Sequence, residues 1–138
     1  MSGNVFLDTN IFVYLCSNDE LKKRSASISI LGKYICITST QALNEFCNVF
    51  IKKYGLPIDK IKEFVRNIAK SCRIQPVSDR VIFLALDING KYGYSFYDCL
   101  MIASALESGC DILYTEDMNN GQIIENKLKI VDPFKNVI

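Results

Sequence analysis

Short apolar segments alternate with helical segments along the whole of this 138-residue chain. The first of them, Val5-Phe6-Leu7, is apolar at every position, which indicates a strand covered on both faces. Strands that alternate with helices favour an α/β fold with a largely parallel sheet, because parallel neighbours need a crossover connection. Right-handed crossovers then place the carboxyl ends of the strands at one rim of the sheet. The alternation therefore predicts the fold class and the rim at which ligands bind.

The pattern predicts one domain, residues 1–138, with five strands and six helices. Asp19, Ser39 or Thr40, Ser78 and Ser95 are expected to cap helices, and Pro76 places the third strand near an edge. The predicted strands are 4–8, 34–38, 73–77, 111–115 and 127–131, and the predicted helices are 11–15, 19–31, 40–54, 58–71, 79–89 and 96–108.

Composition restricts the chemistry that the chain can perform. The chain has no histidine, and its six cysteines form no CxxC pair, so a zinc site is disfavoured and buried cytosolic thiols are expected. A net charge of +1 argues against a protein whose strongly basic surface binds nucleic acid non-specifically. No signal peptide is recognised, and no apolar run approaches the roughly 20 residues that cross a bilayer. We therefore expect a cytoplasmic protein whose chemistry depends on carboxylates.

Two acids follow predicted strands and therefore belong to the same rim. Asp8 ends the first strand, and Glu116-Asp117 follow the fourth. Ordinary turn chemistry, in which Asp and Asn bond their own backbone, is an alternative explanation for Asp117. Asp8 has no such simple alternative, because it precedes Thr9-Asn10 at the position where α/β sheets hold ligands.

Two further acids interrupt apolar helical runs. Glu45 projects from the core-facing side of its helix, although a stem packed on apolar surface with its head in water is the alternative. Asp98 is the only charged residue between Phe96 and Leu106, although a first-turn aspartate favoured by the helix dipole is again an alternative. A buried carboxylate without a partner is costly, so Asp98 is expected to have one.

Together, four acids at one rim would become protonated, move apart or disrupt the fold unless a cation compensates their charge. Two carboxylates about 5 Å apart repel by roughly 3 kcal/mol at an effective dielectric of about 20. An all-oxygen ligand set suits Mg²⁺ or Mn²⁺. Such an ion activates water and stabilises charge on a phosphoryl oxygen, so phosphodiester hydrolysis is the function that these residues favour.

Four motifs in this order resemble the PIN-domain nucleases, in particular the VapC-type toxins of toxin–antitoxin pairs. The resemblance covers nearly the whole chain and rests on the stretches 6–10 (FLDTN), 39–46 (STQALNEF), 95–106 (SFYDCLMIASAL) and 113–118 (LYTEDM) continuing to Phe134. It implies a PIN-like three-layer α/β/α sandwich with a five-stranded parallel sheet in the order 3-2-1-4-5.

The resemblance also implies roles for individual residues. Asp8, Glu45, Asp98 and Asp117, here called the acidic quartet, would be catalytic and would bind Mg²⁺ or Mn²⁺. Asn10 and Thr115 would support that site. The position of Glu116 varies in the family, so the metal role is assigned to Asp117.

By the same resemblance, the expected activity is endonucleolytic, metal-dependent hydrolysis of RNA, with tRNA or rRNA as the substrate class. The expected partners are an antitoxin and a second copy of the chain in a homodimer. Candidate RNA contacts are the basic and aromatic residues Lys52, Lys53, Lys60, Lys62, Arg66, Asn67, Lys70, Tyr92, Tyr94 and Tyr97. The alternative is that these are ordinary surface residues or, for the tyrosines, ordinary core or rim packing.

Other functions remain as alternatives. A PIN nuclease that processes RNA without being a toxin fits the same residues, and so does a PIN module that binds RNA or a partner without cutting. A receiver domain is disfavoured because no phospho-acceptor follows the third strand. A phosphatase with an Asp-x-Asp motif is disfavoured because position 10 is Asn.

Overall fold

A computed structural model describes residues 3–135, so the first two and last three residues of the predicted domain lie outside the described range. Within that range the chain forms six strands and six helices. Their bounds are β1 Asn4–Leu7, α1 Thr9–Cys16, α2 Leu21–Lys33, β2 Ile35–Ser39, α3 Thr40–Lys52, α4 Ile58–Ser71, β3 Arg73–Gln75, α5 Asp79–Tyr92, α6 Phe96–Glu107, β4 Ile112–Tyr114, β5 Ile123–Ile124 and β6 Leu128–Val131.

The sheet has the order β3-β2-β1-β4-β6-β5. All neighbouring strands are parallel except β5 and β6. The five parallel strands therefore confirm the predicted α/β class and the predicted order 3-2-1-4-5, in which the fifth strand is β6. Consecutive parallel strands leave their carboxyl ends at one rim, beside Asp8 and Thr115.

The predicted count of five strands is wrong, because β5 adds a short antiparallel edge. Glu125 and Asn126 have φ values of 53° and 56°, and the Lys127 amide donates to the Ile124 carbonyl over 3.0 Å. Two left-handed central residues are the feature of a type I′ hairpin turn, whose twist suits paired strands. This turn folds β5 back onto β6.

Helices cover both faces of the sheet, as the predicted three-layer sandwich requires. On one face Phe6 and Leu113 pack with α5 and α6 residues such as Ile88 and Ile102. On the other face Leu7 packs with residues of α1, α2, α3 and α4. Because successive residues of a strand face opposite sides, one apolar strand supplies both cores.

Three capping predictions are confirmed and one is wrong. The side chains of Ser39, Ser78 and Ser95 accept backbone hydrogen bonds at the starts of α3, α5 and α6. Asp19 does not cap α2, because its carboxylate instead accepts a 2.6 Å hydrogen bond from the Tyr54 hydroxyl. The cap of α1 is Asp8, so this helix begins two residues earlier than predicted.

The six cysteines are free, and four of them are buried. Among residues 3–135, no helix combines the length and the apolar character needed to cross a membrane.

Candidate active site

Asp8 lies at the junction of β1 and α1 and is buried, with 6% of its surface exposed. One carboxylate oxygen accepts from the Thr9 amide over 2.7 Å, and the other accepts from the Thr115 hydroxyl over 2.7 Å. The carboxylate is therefore fixed on one side by its own helix and on the other by the end of β4.

Glu45 lies on α3 and is half-buried. The Thr9 hydroxyl lies 3.2 Å from the Ala42 carbonyl and 3.4 Å from a Glu45 carboxylate oxygen, within donating distance of both. Thr9 therefore connects the helix that follows Asp8 with the helix that carries Glu45. Sequence reasoning gave Thr9 no role, although its place directly after Asp8 was a signal.

Asp98 lies in the first turn of α6, and its backbone amide donates to the Ser95 hydroxyl over 3.3 Å. The side chain is half-buried and faces the same cavity as the other three acids. Its place in the first turn is the one that the helix dipole favours for an acid. The favourable helix-dipole position and the predicted role in the site are therefore compatible at this residue.

Asp117 follows β4 and is the most exposed of the acidic quartet. Its amide donates to the Thr115 hydroxyl oxygen over 3.2 Å, and its carboxylate accepts from the Asn10 amide group over 3.2 Å. Thr115 therefore contacts both Asp8 and Asp117. Asn10 was expected to support the loop of Asp8, and its side chain instead contacts Asp117 and Glu116; the site-supporting roles of Asn10 and Thr115 stay predictions.

All four acids line one cavity of about 160 Å³. Thr9, Asn10 and Tyr97 lie in its wall, and the full lining is Asp8, Thr9, Asn10, Glu45, Val49, Tyr97, Asp98, Met101 and Asp117. The fold thus brings together side chains that are up to 109 positions apart in the chain, from Asp8 to Asp117.

The electrostatics of the cavity disfavour negative charge. Burial, together with the nearby charges of Asp117 and Asp98, raises the pKa of Asp8 to about 6, although the hydrogen bonds from Thr115 and Thr9 oppose the shift. Burial and the charge of Asp8 raise the pKa of Glu45 to about 7. Burial and the charge of Glu116 also raise the pKa of Asp117. The acids therefore interact as one group, and a cation would relieve their repulsion.

The residues of the cavity fit a hard divalent cation. Four carboxylates with Thr and Asn side chains form an all-oxygen donor set, which suits Mg²⁺ or Mn²⁺. Among residues 3–135, no three His, Cys, Asp or Glu side chains already stand in metal-binding geometry. The metal role of the quartet stays a prediction.

Glu116 lies outside the cavity lining and is bound by other groups. Its carboxylate accepts hydrogen bonds from Tyr14 and from Asn10, and it forms a 3.1 Å ion pair with Lys23. Asp117 lines the cavity and Glu116 does not, while the metal role of Asp117 stays a prediction. Sequence reasoning missed Tyr14 and Lys23, because each is about 100 positions from Glu116 and no local pattern connects them.

The candidate RNA contacts divide into two groups. The hydroxyls of Tyr92 and Tyr94 bond Glu125 and Gln122, next to β5, so these rings are part of the packing. Tyr97 is 58% exposed and lies in the wall of the cavity. The lysines and the arginine proposed as RNA contacts, at the end of α3 and on α4, are exposed, and their contact with RNA stays a prediction.

Comparison with solved structures shows the fold independently. A toxin–antitoxin complex from Klebsiella pneumoniae is 20% identical with a TM-score of 0.70, over 94% of this chain and 97% of that one. VapBC from Salmonella typhimurium, bound to DNA, is 16% identical with a TM-score of 0.69, over 94% and 98%. VapC20 of Mycobacterium tuberculosis, a toxin that cleaves the sarcin–ricin loop, is 16% identical with a TM-score of 0.67, over 82% and 91%.

No protein among those with curated functions matches this sequence. The family model described as PIN domain matches residues 5–123, which extend from β1 to the first residue of β5 and include the acidic quartet, Asn10 and Thr115. Since this match covers most of the chain and agrees with the strand order and the acid-lined cavity, the chain belongs to the PIN domain family.

Proposed function

We propose that this protein is a metal-dependent endoribonuclease and the toxin of a VapBC-type toxin–antitoxin pair. The observation that carries the proposal is the single cavity lined by all four acids of the quartet. Membership of the PIN family supports nuclease chemistry. The likeness to toxins, one of which cleaves the sarcin–ricin loop, supports structured RNA as the substrate class.

Asp8, Glu45, Asp98 and Asp117 would hold Mg²⁺ or Mn²⁺, which when bound supplies an activated water and stabilises charge on a phosphoryl oxygen. Thr115 holds the Asp8 carboxylate in place, and Asn10 does the same for Asp117. The raised pKa values of Asp8 and Glu45 mean that protons compete with a cation for these oxygens. Binding of the ion therefore weakens as the pH falls below neutrality.

The decisive experiment compares cleavage of RNA by the wild type with cleavage by Asp8→Asn and Asp98→Asn. Asp87→Asn is the matched control, because Asp87 is an exposed acid on α5 outside the cavity. We expect cleavage with Mg²⁺ or Mn²⁺, none with a chelator, and a loss of at least about 100-fold in both site variants but not in the control. Cleavage that survives both site substitutions contradicts the proposal.

A growth assay tests the toxin role separately from the nuclease role. We expect production of the wild type to arrest growth, production of Asp98→Asn to leave growth unaffected, and co-expression of a cognate antitoxin, to be sought in the neighbouring reading frames, to restore growth. Solved relatives include toxin–antitoxin complexes, which supports such a partner. RNA cleavage without growth arrest would identify an RNA-processing nuclease instead, and RNA binding without turnover would identify a non-catalytic module.

We also propose that the protein forms a homodimer, as the resemblance to VapC-type toxins implies. Sedimentation of the purified chain is the measurement, and a monomer at micromolar concentration contradicts this part of the proposal.

A further inference from the structure

Glu116 is held outside the cavity by donors from two helices, and we call this arrangement the Glu116 clamp. Tyr14 of α1 donates its hydroxyl to the carboxylate, and Lys23 of α2 donates its ammonium over 3.1 Å. The Asn10 amide group adds a third contact of 3.4 Å. The side chains of Lys23 and Glu116 are 27% and 18% exposed, so this ion pair is more enclosed than an ordinary surface pair.

The donors of the clamp are themselves fixed by aromatic contacts. The Lys23 ammonium lies 4.9 Å from the centre of the Tyr14 ring and 5.6 Å from the centre of the Phe134 ring. The Tyr14 and Phe134 rings meet edge to face with centres 5.0 Å apart. A cation above two aromatic faces loses freedom before it meets the carboxylate, so the clamp is preorganised.

The clamp is connected to the cavity through Asn10. The amide nitrogen of this residue lies 3.4 Å from Glu116 and 3.2 Å from the Asp117 carboxylate. The exposed Asp117 carboxylate thus accepts a side-chain hydrogen bond from the same residue that contacts Glu116. Two consecutive acids at one strand end are thus separated, with one turned to the helices and the other to the cavity.

We propose that Lys23 and Tyr14 are positioning residues that restrain Glu116 outside the cavity and, through Asn10, set the orientation of Asp117 at its edge. This inference rests on the proposed function, since it treats Asp117 as a metal ligand. It gives Lys23 a role that does not involve contact with RNA. Groups that hold metal ligands in place commonly affect metal affinity and turnover.

The first test is the affinity for Mn²⁺, measured by titration calorimetry. Tyr14→Phe keeps the ring that packs on Phe134 and removes only the hydroxyl, so it changes no charge near the ion. Lys23→Met removes the cation, and Lys91→Met is the control because Lys91 forms a comparable 2.7 Å ion pair with Glu125 beside β5. We expect weaker Mn²⁺ binding in Tyr14→Phe and a loss of about 10-fold in Lys23→Met, with no change in the control.

The direction of the change separates positioning from simple electrostatics. Removal of a positive charge beside a cation site should by itself strengthen Mn²⁺ binding. Tighter or unchanged binding in Lys23→Met overturns the inference. Lys23→Arg keeps the charge and the reach to Glu116, so it should recover most of the lost affinity.

Steady-state cleavage separates positioning from contact with RNA. We expect kcat to fall in Lys23→Met while KM for RNA stays within about twofold of the wild type, because the change acts on the reacting centre rather than on substrate binding. A raised KM with unchanged kcat shows that Lys23 binds phosphate, and this result overturns the inference.

Hydrogen exchange of the metal-free protein decides the inference even if the proposed function fails. We expect the amides of residues 115–118 to exchange faster in Tyr14→Phe and Lys23→Met than in the wild type. Unchanged exchange there contradicts the clamp. If the wild type binds no Mn²⁺ but exchange responds as expected, the proposed metal role is wrong and the clamp stands. If the wild type binds Mn²⁺ and cleaves RNA, and both variants match it in binding, cleavage and exchange, the clamp is wrong and the proposed function stands.

Discussion

Asp8 has a structural role as well as a place in the cavity. Its carboxylate accepts from the Thr9 amide at the start of α1 and from the Thr115 hydroxyl. Asn is as good a helix cap as Asp, so Asp8→Asn keeps the first contact while it removes the charge. The substitution therefore keeps the helix cap but removes both the charge and the acceptor for the Thr115 hydroxyl, so a loss larger than that of Thr115→Val reports the charge.

Thr115 is the residue at which a small change should affect two acids at once. Thr115→Val removes the hydroxyl that donates to Asp8 and accepts from the Asp117 amide. We expect Mn²⁺ affinity and kcat to fall by about 10-fold, because supporting contacts of this kind commonly contribute that much. Thr115→Ser retains the hydroxyl and should stay close to the wild type; equal loss in both variants would contradict this role.

Tyr97 is the tyrosine that the structure leaves available to a base. Base stacking on an aromatic side chain contributes about 1–3 kcal/mol, so we expect Tyr97→Ala to lower kcat/KM for RNA by roughly 5- to 150-fold. Tyr97→Phe keeps the ring and should keep the activity. Competition kinetics with a short RNA measure the effect, and an unaffected Tyr97→Ala variant would exclude stacking at this position.

The acids could be predicted from the sequence, whereas the contacts that hold them could not. Asp8 and Asp98 each stand out against apolar neighbours, and the fold places both in one cavity. The contact from Lys23 to Glu116 joins residues 93 positions apart. Nothing local to either residue signals that contact, because it depends on how α2 packs on α1 in the folded chain.

At the scale of elements, the start of α6 determines where Asp98 points. Ser95 accepts the hydrogen bond of the Asp98 amide and so fixes the first turn of the helix. Residues 99–105 of α6 are buried, which holds the helix against the sheet. The position of one acid therefore depends on both a cap and a core.

Removal of that cap should destabilise the fold in a measurable way. We expect Ser95→Ala to lower the free energy of unfolding by about 1 kcal/mol, as is typical for the loss of an N-cap side chain. Ser95→Asp should restore most of it, since Asp also caps helices. Urea unfolding gives both values, and an unchanged midpoint in Ser95→Ala would show that this cap contributes nothing.

The long elements could be predicted from their patterns, whereas β5 could not. Five of the helices were expected within two residues of both their observed ends, and α5 continues to Tyr92, three residues beyond its expected end. β5 has two residues between Gln122 and Glu125, too few for an alternating pattern to appear. Its existence depends on the type I′ turn and on pairing with β6, which are features of the folded chain.

At the scale of the whole molecule, the acid-lined cavity makes the metal-free fold sensitive to pH. The pKa of Asp8 is raised from 3.8 to about 6, and that of Glu45 from 4.5 to about 7. A raised pKa in the fold means that the neutral acid is favoured there. The stability that this supplies is fully present below about pH 4 and is lost as the pH rises through 6 to 7.

With a chelator present, the stability of the protein should depend on pH through the charge on Asp8. Between pH 4 and pH 7.5 the wild type should lose stability relative to Asp8→Asn by on the order of 3 kcal/mol, from the shift at Asp8. Thermal unfolding across this range measures the difference between the two proteins. A constant difference would show that the charge on Asp8 has no cost in the fold.

The shortness of β5 limits how far another chain can pair with this edge of the sheet. A long border strand displays a row of free amides and carbonyls to which another polypeptide can add. Here one border, β3, has three residues followed by Pro76, and the other has only two. Each border therefore offers another chain only a few hydrogen-bonding groups, which disfavours edge-to-edge pairing of sheets between molecules.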